Sequence, residues 1–168
     1  MIYIREQTSQ EIANITLAKG ESIQLFGAQG YTVDQLQSIN KLLIMNDCQI
    51  CINCDLGVCK EDEDLIYNLN IIEFLSNVRH LIVSNLSHKA ELDSIDFVQY
   101  TPLLQSLSFL GLIKRSISLQ SLQELKCLDT LNFGDYLEIN NKQLAVINSL
   151  TNLRELKVKK NRRIESES

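Results

Sequence analysis

A short apolar pattern recurs four times in the second half of the chain, and it constrains the fold more than any other feature. The segments NVRHLIVSNL, LLQSLSFLGL, CLDTLNFGDY and NLRELKVKKN align without gaps. Each contains an apolar residue, a leucine three positions later and another apolar residue two positions after that. The steps between the middle leucines are 26, 24 and 25 residues, for the anchors Leu81, Leu107, Leu131 and Leu156. A period in this range is typical of stacked repeats.

The residues before each anchor follow a second pattern, which was not used for the alignment. The residue twelve positions before each of the four anchors is aliphatic. These residues are Leu69, Ile95, Leu119 and Leu144. Apolar residues at intervals of two to four positions predict a short helix there. The alternation around each anchor predicts a strand with one buried face. Each unit is therefore predicted as helix, tight connection and strand, and it must stack on a neighbour to bury its apolar side.

A fifth unit is predicted upstream, where Ile39, Leu42 and Ile44 repeat the triplet. Thr32 and Gln35 have the spacing of a capping box, which predicts that a helix begins there. The segment ITLAKGESIQLF alternates around a Lys-Gly turn and predicts a β-hairpin. We therefore divide the chain into a hairpin cap (1–30), about five repeat units (31–161) and a tail (162–168). The longer step to Leu81 places an insertion at 45–64.

The repeated L-x-x-L-x-L pattern resembles that of leucine-rich repeats. The resemblance covers roughly residues 32 to 161 and implies an α/β solenoid, with a parallel sheet on the concave face and short helices on the convex face. Family members carry an asparagine or a cysteine three positions after the triplet. Here that position holds Leu86, Leu112 and Tyr136, and only the last unit has Asn161. The departure indicates a divergent, irregular member of bacterial type.

Four of the five cysteines lie within DCQICINCDLGVCK, at positions Cys48, Cys51, Cys54 and Cys59. One interpretation is an iron–sulfur or zinc site. Ferredoxin motifs, however, have three residues before the last cysteine and a proline after it, whereas this chain has four residues and Lys60. The other interpretation makes QICIN a strand and the cysteines small core residues. We favour the core interpretation, so neither a metal ligand nor a cofactor is predicted, and a metal-binding module remains the alternative.

Charge and motif content restrict the remaining classes of function. The formal net charge of -5 disfavours generic nucleic-acid binding, which depends on many Lys and Arg residues. We find no phosphate-binding loop, nucleophile elbow, HExxH or paired carboxylates, and therefore predict no catalytic residue and no enzyme. The absence of long apolar segments predicts no membrane association. An odd number of crowded cysteines favours a reducing, cytoplasmic location.

A binding surface is predicted from the residues that alternate with the buried positions of the strands. In a leucine-rich repeat they would line the concave face. The predicted contact residues are Leu43, Met45, His80, Ile82, Ser84, Ser108, Leu110 and Asn132. Their apolar members favour a protein partner. The resemblance and the small acidic chain favour a stoichiometric inhibitor, such as an immunity protein for a cognate bacterial toxin, and a scaffold or host-directed effector is the alternative.

The C-terminal strand carries a run of basic residues that includes Lys157, Lys159 and Lys160. Charge on an exposed terminal strand discourages edge-to-edge aggregation. The chain is therefore expected to be a monomer or a weak oligomer.

Overall fold

The computed structural model describes residues 1–57, 62–86 and 90–159. They form a seven-stranded sheet in which each strand is parallel to its neighbour and the strand order equals the chain order. The strands are β1 (Ile2–Tyr3), β2 (Ser22–Phe26), β3 (Gln49–Asn53), β4 (His80–Asn85), β5 (Ser106–Gly111), β6 (Thr130–Asn132) and β7 (Glu155–Lys157).

Short helices connect the strands. The α-helices are α1 (Ser9–Ala13), α2 (Val33–Met45) and α3 (Asn141–Asn148), and the 3₁₀ helices are Asn68–Phe74, Asp96–Tyr100 and Gln120–Glu124. All three α-helices begin with a capping box. In α2, Thr32 Oγ1 accepts a hydrogen bond from the Gln35 backbone N–H, and the Gln35 side chain accepts one from the Thr32 N–H. The start of this helix predicted from the sequence is therefore confirmed.

The repeated leucines lie side by side on the inner face of the sheet. Leu81, Leu107 and Leu131 are in register on neighbouring strands, and each is buried. The next inward position holds Val83, Phe109 and Phe133 in the same three units, and these are buried as well. The inner face and the helices thus enclose one hydrophobic core, as the alternation in the sequence predicts. The chain is an α/β protein with a parallel sheet and short helices.

The predicted fifth strand is wrong, because Ile39, Leu42 and Ile44 lie in helix α2. The buried residues of this helix are spaced by three and four positions, as one helical face requires, and they are Leu36, Ile39 and Leu43. The strand is instead β3, which coincides with QICIN and places Ile50 beside Leu81. Ile50 precedes Leu81 by 31 residues, only a few more than the repeat period of 24 to 26 residues. The extra length between these two strands is therefore much smaller than the insertion predicted at 45–64.

The predicted N-terminal hairpin is also wrong, because residues 15–18, directly before the Lys-Gly turn, do not form a strand. The turn itself does form, with the Glu21 N–H donating to the Ala18 carbonyl. β2 pairs instead with β1, in parallel and with α1 between the two strands in the chain. Tyr31 fixes the parallel arrangement. Its buried hydroxyl donates to the Ile4 carbonyl and accepts from the Phe26 N–H, at 2.6 and 2.8 Å. The N-terminal part therefore continues the sheet.

Amide side chains connect successive units at the carboxyl ends of the strands. The side-chain Nδ2 of Asn85 donates to the carbonyls of Ala90 and Leu112, at 2.9 and 3.2 Å. The partly buried side chain of Asn68 accepts a hydrogen bond from the Asp55 N–H through Oδ1 and donates one to the Asp55 carbonyl through Nδ2. These amides satisfy backbone groups that the turns leave unpaired. They occupy other positions than the repeat asparagine, and Leu86, Leu112 and Tyr136 at that position are exposed.

Candidate functional site

The repeated strands create a continuous surface on the face of the sheet opposite the helices, and we call it the outer face. Because side chains alternate along a strand, parallel pairing arranges the outward residues in rows across the sheet. The middle row contains one residue from every strand. It runs Tyr3, Gln24, Cys51, Ile82, Ser108, Asn132 and Lys157.

The N-terminal third of the outer face is aromatic. The rings of Tyr3 and Phe26 are stacked with their centroids 6.1 Å apart. The guanidinium carbon of Arg5 lies 4.5 Å from the centre of the Phe26 ring, within the range of a cation–π interaction. Tyr3 is exposed and Phe26 is half-buried. This end of the face therefore offers flat apolar area together with one positive charge.

The centre of the outer face carries two aliphatic side chains, Ile82 on β4 and Leu110 on β5. Ile82 is paired with Ser108, and Leu110 is paired with Ser84, so the two aliphatic residues lie diagonally across adjacent strands. Ser84 is buried, Ser108 and Ile82 are half-buried, and Leu110 is exposed. Because serine is much smaller than leucine or isoleucine, the aliphatic groups project beyond their direct neighbours.

Polar and charged groups occupy the C-terminal third and the edge at the amino ends of the strands. Asn132 accepts a hydrogen bond from the Gly134 N–H through Oδ1, at 2.8 Å. Glu155 and Lys157 are exposed on β7. His80 Nε2 lies 3.1 Å from Asp47 Oδ1. The apolar centre is thus bordered by groups that can form hydrogen bonds and ion pairs.

The pair of His80 and Asp47 raises the question of catalysis, since Ser106 is the register neighbour of His80 on β5. A nucleophilic serine must hydrogen-bond to the histidine that takes its proton. No hydrogen bond joins Ser106 to His80 in the described part of the chain. The structure thus supplies a histidine–carboxylate pair on an open sheet, without an arranged nucleophile.

Six of the eight predicted contact residues lie on the outer face, namely His80, Ile82, Ser84, Ser108, Leu110 and Asn132. Leu43 is a correction, because it lies in α2 with 1% of its surface exposed and belongs to the core. Met45 is the last residue of the same helix and is 84% exposed, but it is not on the sheet. Both errors arise from assigning a helical segment to a strand.

Outward residues of the first three strands were not predicted, among them Tyr3, Gln24, Phe26 and Cys51. Each lies on a strand that the repeat pattern did not assign. The alternation of Ile23 and Leu25 within SIQLF could have indicated the inward side of β2, and with it the outward position of Phe26. For Tyr3 the sequence contains no comparable signal, because β1 has only two residues.

The cysteine segment is divided between the two faces of the sheet. Cys48 and Cys54 belong to the hydrophobic core, and Cys51 points outward from β3. Burial raises the pKa of all three thiols, and it raises that of Cys54 to about 12. Among the described residues, no three His, Cys, Asp or Glu side chains are arranged to hold a metal ion. Cys59 lies outside the described residues, as does part of the proposed insertion.

Thiol labelling should separate the cysteines by burial. In native protein at pH 8, we expect iodoacetamide to modify Cys127 at least about tenfold faster than Cys48, Cys51 or Cys54, because the latter are buried and protonated. Peptide mass spectrometry measures the rates. After denaturation all five thiols should react. Rapid native labelling of Cys54, or about one zinc ion per purified chain, would contradict the core interpretation.

Comparisons with known proteins do not identify the chain. No protein-family model matches it, and a search of curated proteins finds no significant match. Within the described ranges, no helix has both the length and the apolar character needed to cross a membrane.

Proposed function

We propose that this chain is a divergent leucine-rich-repeat solenoid that binds another protein through the concave, outer face of its sheet. It acts without catalysis, as a cytoplasmic stoichiometric inhibitor of the type represented by bacterial toxin-immunity proteins. In this proposal the six outer-face residues retained from the sequence analysis form the contact surface, together with Tyr3 and Phe26.

The observation that carries the proposal is the position of Ile82 and Leu110. Both residues project from the outer face on adjacent strands, and their small neighbours leave their sides accessible. Leucine and isoleucine at the centre of a sheet surface contribute little to folding when they have no core to enter. A partner that covers them gains roughly 25 cal/mol for each Å² of apolar surface removed from water. Contiguous exposed apolar residues with a polar border are typical of protein interfaces.

Charge supports a basic partner. The chain has a formal net charge of -5. Asp47 borders the outer face at the amino ends of the strands, where it lies 3.1 Å from His80. Further exposed carboxylates, Asp62, Glu63 and Asp64, lie in the segment between β3 and β4. Opposite charge on a partner accelerates association and restricts its orientation, while the apolar centre supplies most of the affinity.

The proposal is tested by placing a charge at the centre of the outer face. Leu110→Asp should weaken partner binding at least about 100-fold, because a desolvated carboxylate would face an apolar anchor site. Leu103→Asp is the matched control, since Leu103 is a leucine of nearly equal exposure (39% against 41%) outside the strands. The Leu103→Asp variant should bind the partner with wild-type affinity. Circular dichroism and melting temperature should remain close to wild type for both variants.

The partner for this measurement is sought first as the product of the neighbouring gene, by co-purification with the tagged chain. A toxic neighbour that is inhibited at one-to-one stoichiometry would support the immunity function. Normal binding of that toxin by Leu110→Asp would exclude the outer face as the contact surface. Copurification of a toxin whose activity is unchanged would instead favour a scaffold role.

A further inference from the structure

The C-terminal end of the sheet leaves core-facing residues uncovered among the described residues. Leu156 on β7 is in register with Leu131, and both point to the inner face. Leu156 is nevertheless 39% exposed, whereas Leu131 is 0% exposed. The difference exists because β6 has neighbours on both sides, whereas β7 pairs only with β6 in the described sheet.

The other apolar residues of the last unit show the same incomplete burial. Leu144 on α3 is exposed, and Leu150, Leu153 and Val158 are only partly buried. At the opposite end of the sheet, Ile4 and Ile12 are fully buried beside β1 and α1. The two ends therefore differ: among the described residues, the end face at β7 leaves apolar side chains accessible to a partner.

The backbone of β7 presents Leu156 to that partner. The Glu155 N–H donates to the Asp129 carbonyl, and the Lys157 carbonyl accepts from the Phe133 N–H, so both residues direct their backbone groups toward β6. Backbone direction alternates along a strand in a ladder. The N–H and carbonyl of Leu156 therefore point away from β6, toward the open edge.

We propose that a second copy of this chain covers the edge, with the two β7 strands antiparallel and the two-fold axis at Leu156. In this register Leu156 pairs with Leu156 of the other copy through its free N–H and carbonyl. Glu155 of each copy then lies opposite Lys157 of the other. Such directly opposite pairs are the closest cross-strand neighbours in an antiparallel ladder.

The charges of β7 select this register. With the axis at Leu156, Arg154 lies opposite Val158, and Lys159 lies opposite Leu153, so no like charges meet. An axis at residue 157 would place two lysines directly opposite each other, and an axis at 155 would oppose two glutamates. The sequence of the edge is thus self-complementary in one antiparallel register, and in that register the outward backbone groups of Leu156 pair with those of the other copy.

Sedimentation velocity of the full chain, with variants of the charge pair, tests this interface. Between roughly 10 µM and 1 mM, wild type should form a dimer that dissociates on dilution. Glu155→Lys and Lys157→Glu each place like charges opposite one another twice, and each should raise the dissociation constant at least about tenfold. The double variant Glu155→Lys/Lys157→Glu restores opposite charges and should dimerise within about threefold of wild type.

Each other outcome overturns the proposal. The antiparallel β7 pair is excluded if the wild type stays monomeric over this range. It is also excluded if either single charge reversal leaves the dissociation constant unchanged, or if the double variant does not regain dimerisation. Both substituted side chains are exposed, so the variants should fold like the wild type. Circular dichroism verifies this. The Leu110→Asp variant should dimerise like the wild type. The test of dimerisation through β7 is therefore independent of the test of partner binding at the outer face.

Discussion

Gly111→Ala is expected to lower the free energy of unfolding by at least about 3 kcal/mol. Gly111 ends β5 with a φ of +123°, a region that side-chain-bearing residues avoid. A Cβ atom built there would lie 1.8 Å from the carbonyl oxygen of Asn85, its partner on β4. Backbone rather than a flexible side chain is in the way, so the two strands must separate. Urea denaturation followed by circular dichroism measures the loss.

Gly20→Ala is the control for Gly111→Ala, because it imposes an unfavourable φ without a collision. Gly20 has a φ of +78°, and no atom lies within 4 Å of the added Cβ. Its cost should therefore be only the backbone strain of about 1–2 kcal/mol. Equal losses for the two variants would mean that the close approach of β4 and β5 at Gly111 is not maintained in solution.

Leu107→Ala and Leu131→Ala should each cost about 2–5 kcal/mol, as truncations of buried leucines do. The two residues are neighbours on the inner face and are fully buried between the sheet and the helices. Each substitution removes apolar contact and leaves a cavity that the rigid ladder on both sides cannot close. Chemical denaturation of each variant gives the difference directly.

Ser108→Ala provides the comparison on the other face of the same strand. Ser108 points outward between Ile82 and Asn132 and is half-buried, whereas Leu107 and Phe109 on either side of it belong to the core cluster. Its replacement should change stability by under about 1 kcal/mol. If Ser108→Ala were the costly change and Leu107→Ala the harmless one, the strand register would be shifted by one residue and the proposed contact surface would be the core.

The repeat pattern was sufficient to predict the strands at Leu81, Leu107, Leu131 and Leu156 and the inward direction of these leucines. It also predicted most of the candidate surface, because the residues between buried positions of a strand must point outward. Ile82, Ser108 and Leu110 follow directly from this alternation. The helix start at Thr32 was predicted for a different local reason, namely the reciprocal hydrogen bonds of a capping box.

In contrast, which segments become adjacent strands of the sheet depends on contacts between residues that are distant in the sequence. Ile39, Leu42 and Ile44 fit both a strand triplet and a helical face, and the local pattern could not decide between them. The helix forms because its apolar stripe packs into the core while Ile50 occupies the strand position beside Leu81.

The sequence by itself therefore determined the repeated strand–helix units and the two faces of their strands. Tertiary structure decided the N-terminal part, where the apolar alternation of ITLAKGESIQLF is compatible with a hairpin. Tyr31 joins Ile4 to Phe26 across 27 and 5 positions of the chain and makes β1 parallel to β2. That contact also creates the aromatic end of the outer face, since Tyr3 and Phe26 meet only in this arrangement. The periodicity of apolar residues predicts which face of a helix or strand is buried. Which other helix or strand packs against that face depends on contacts between distant residues, and no local pattern contains them.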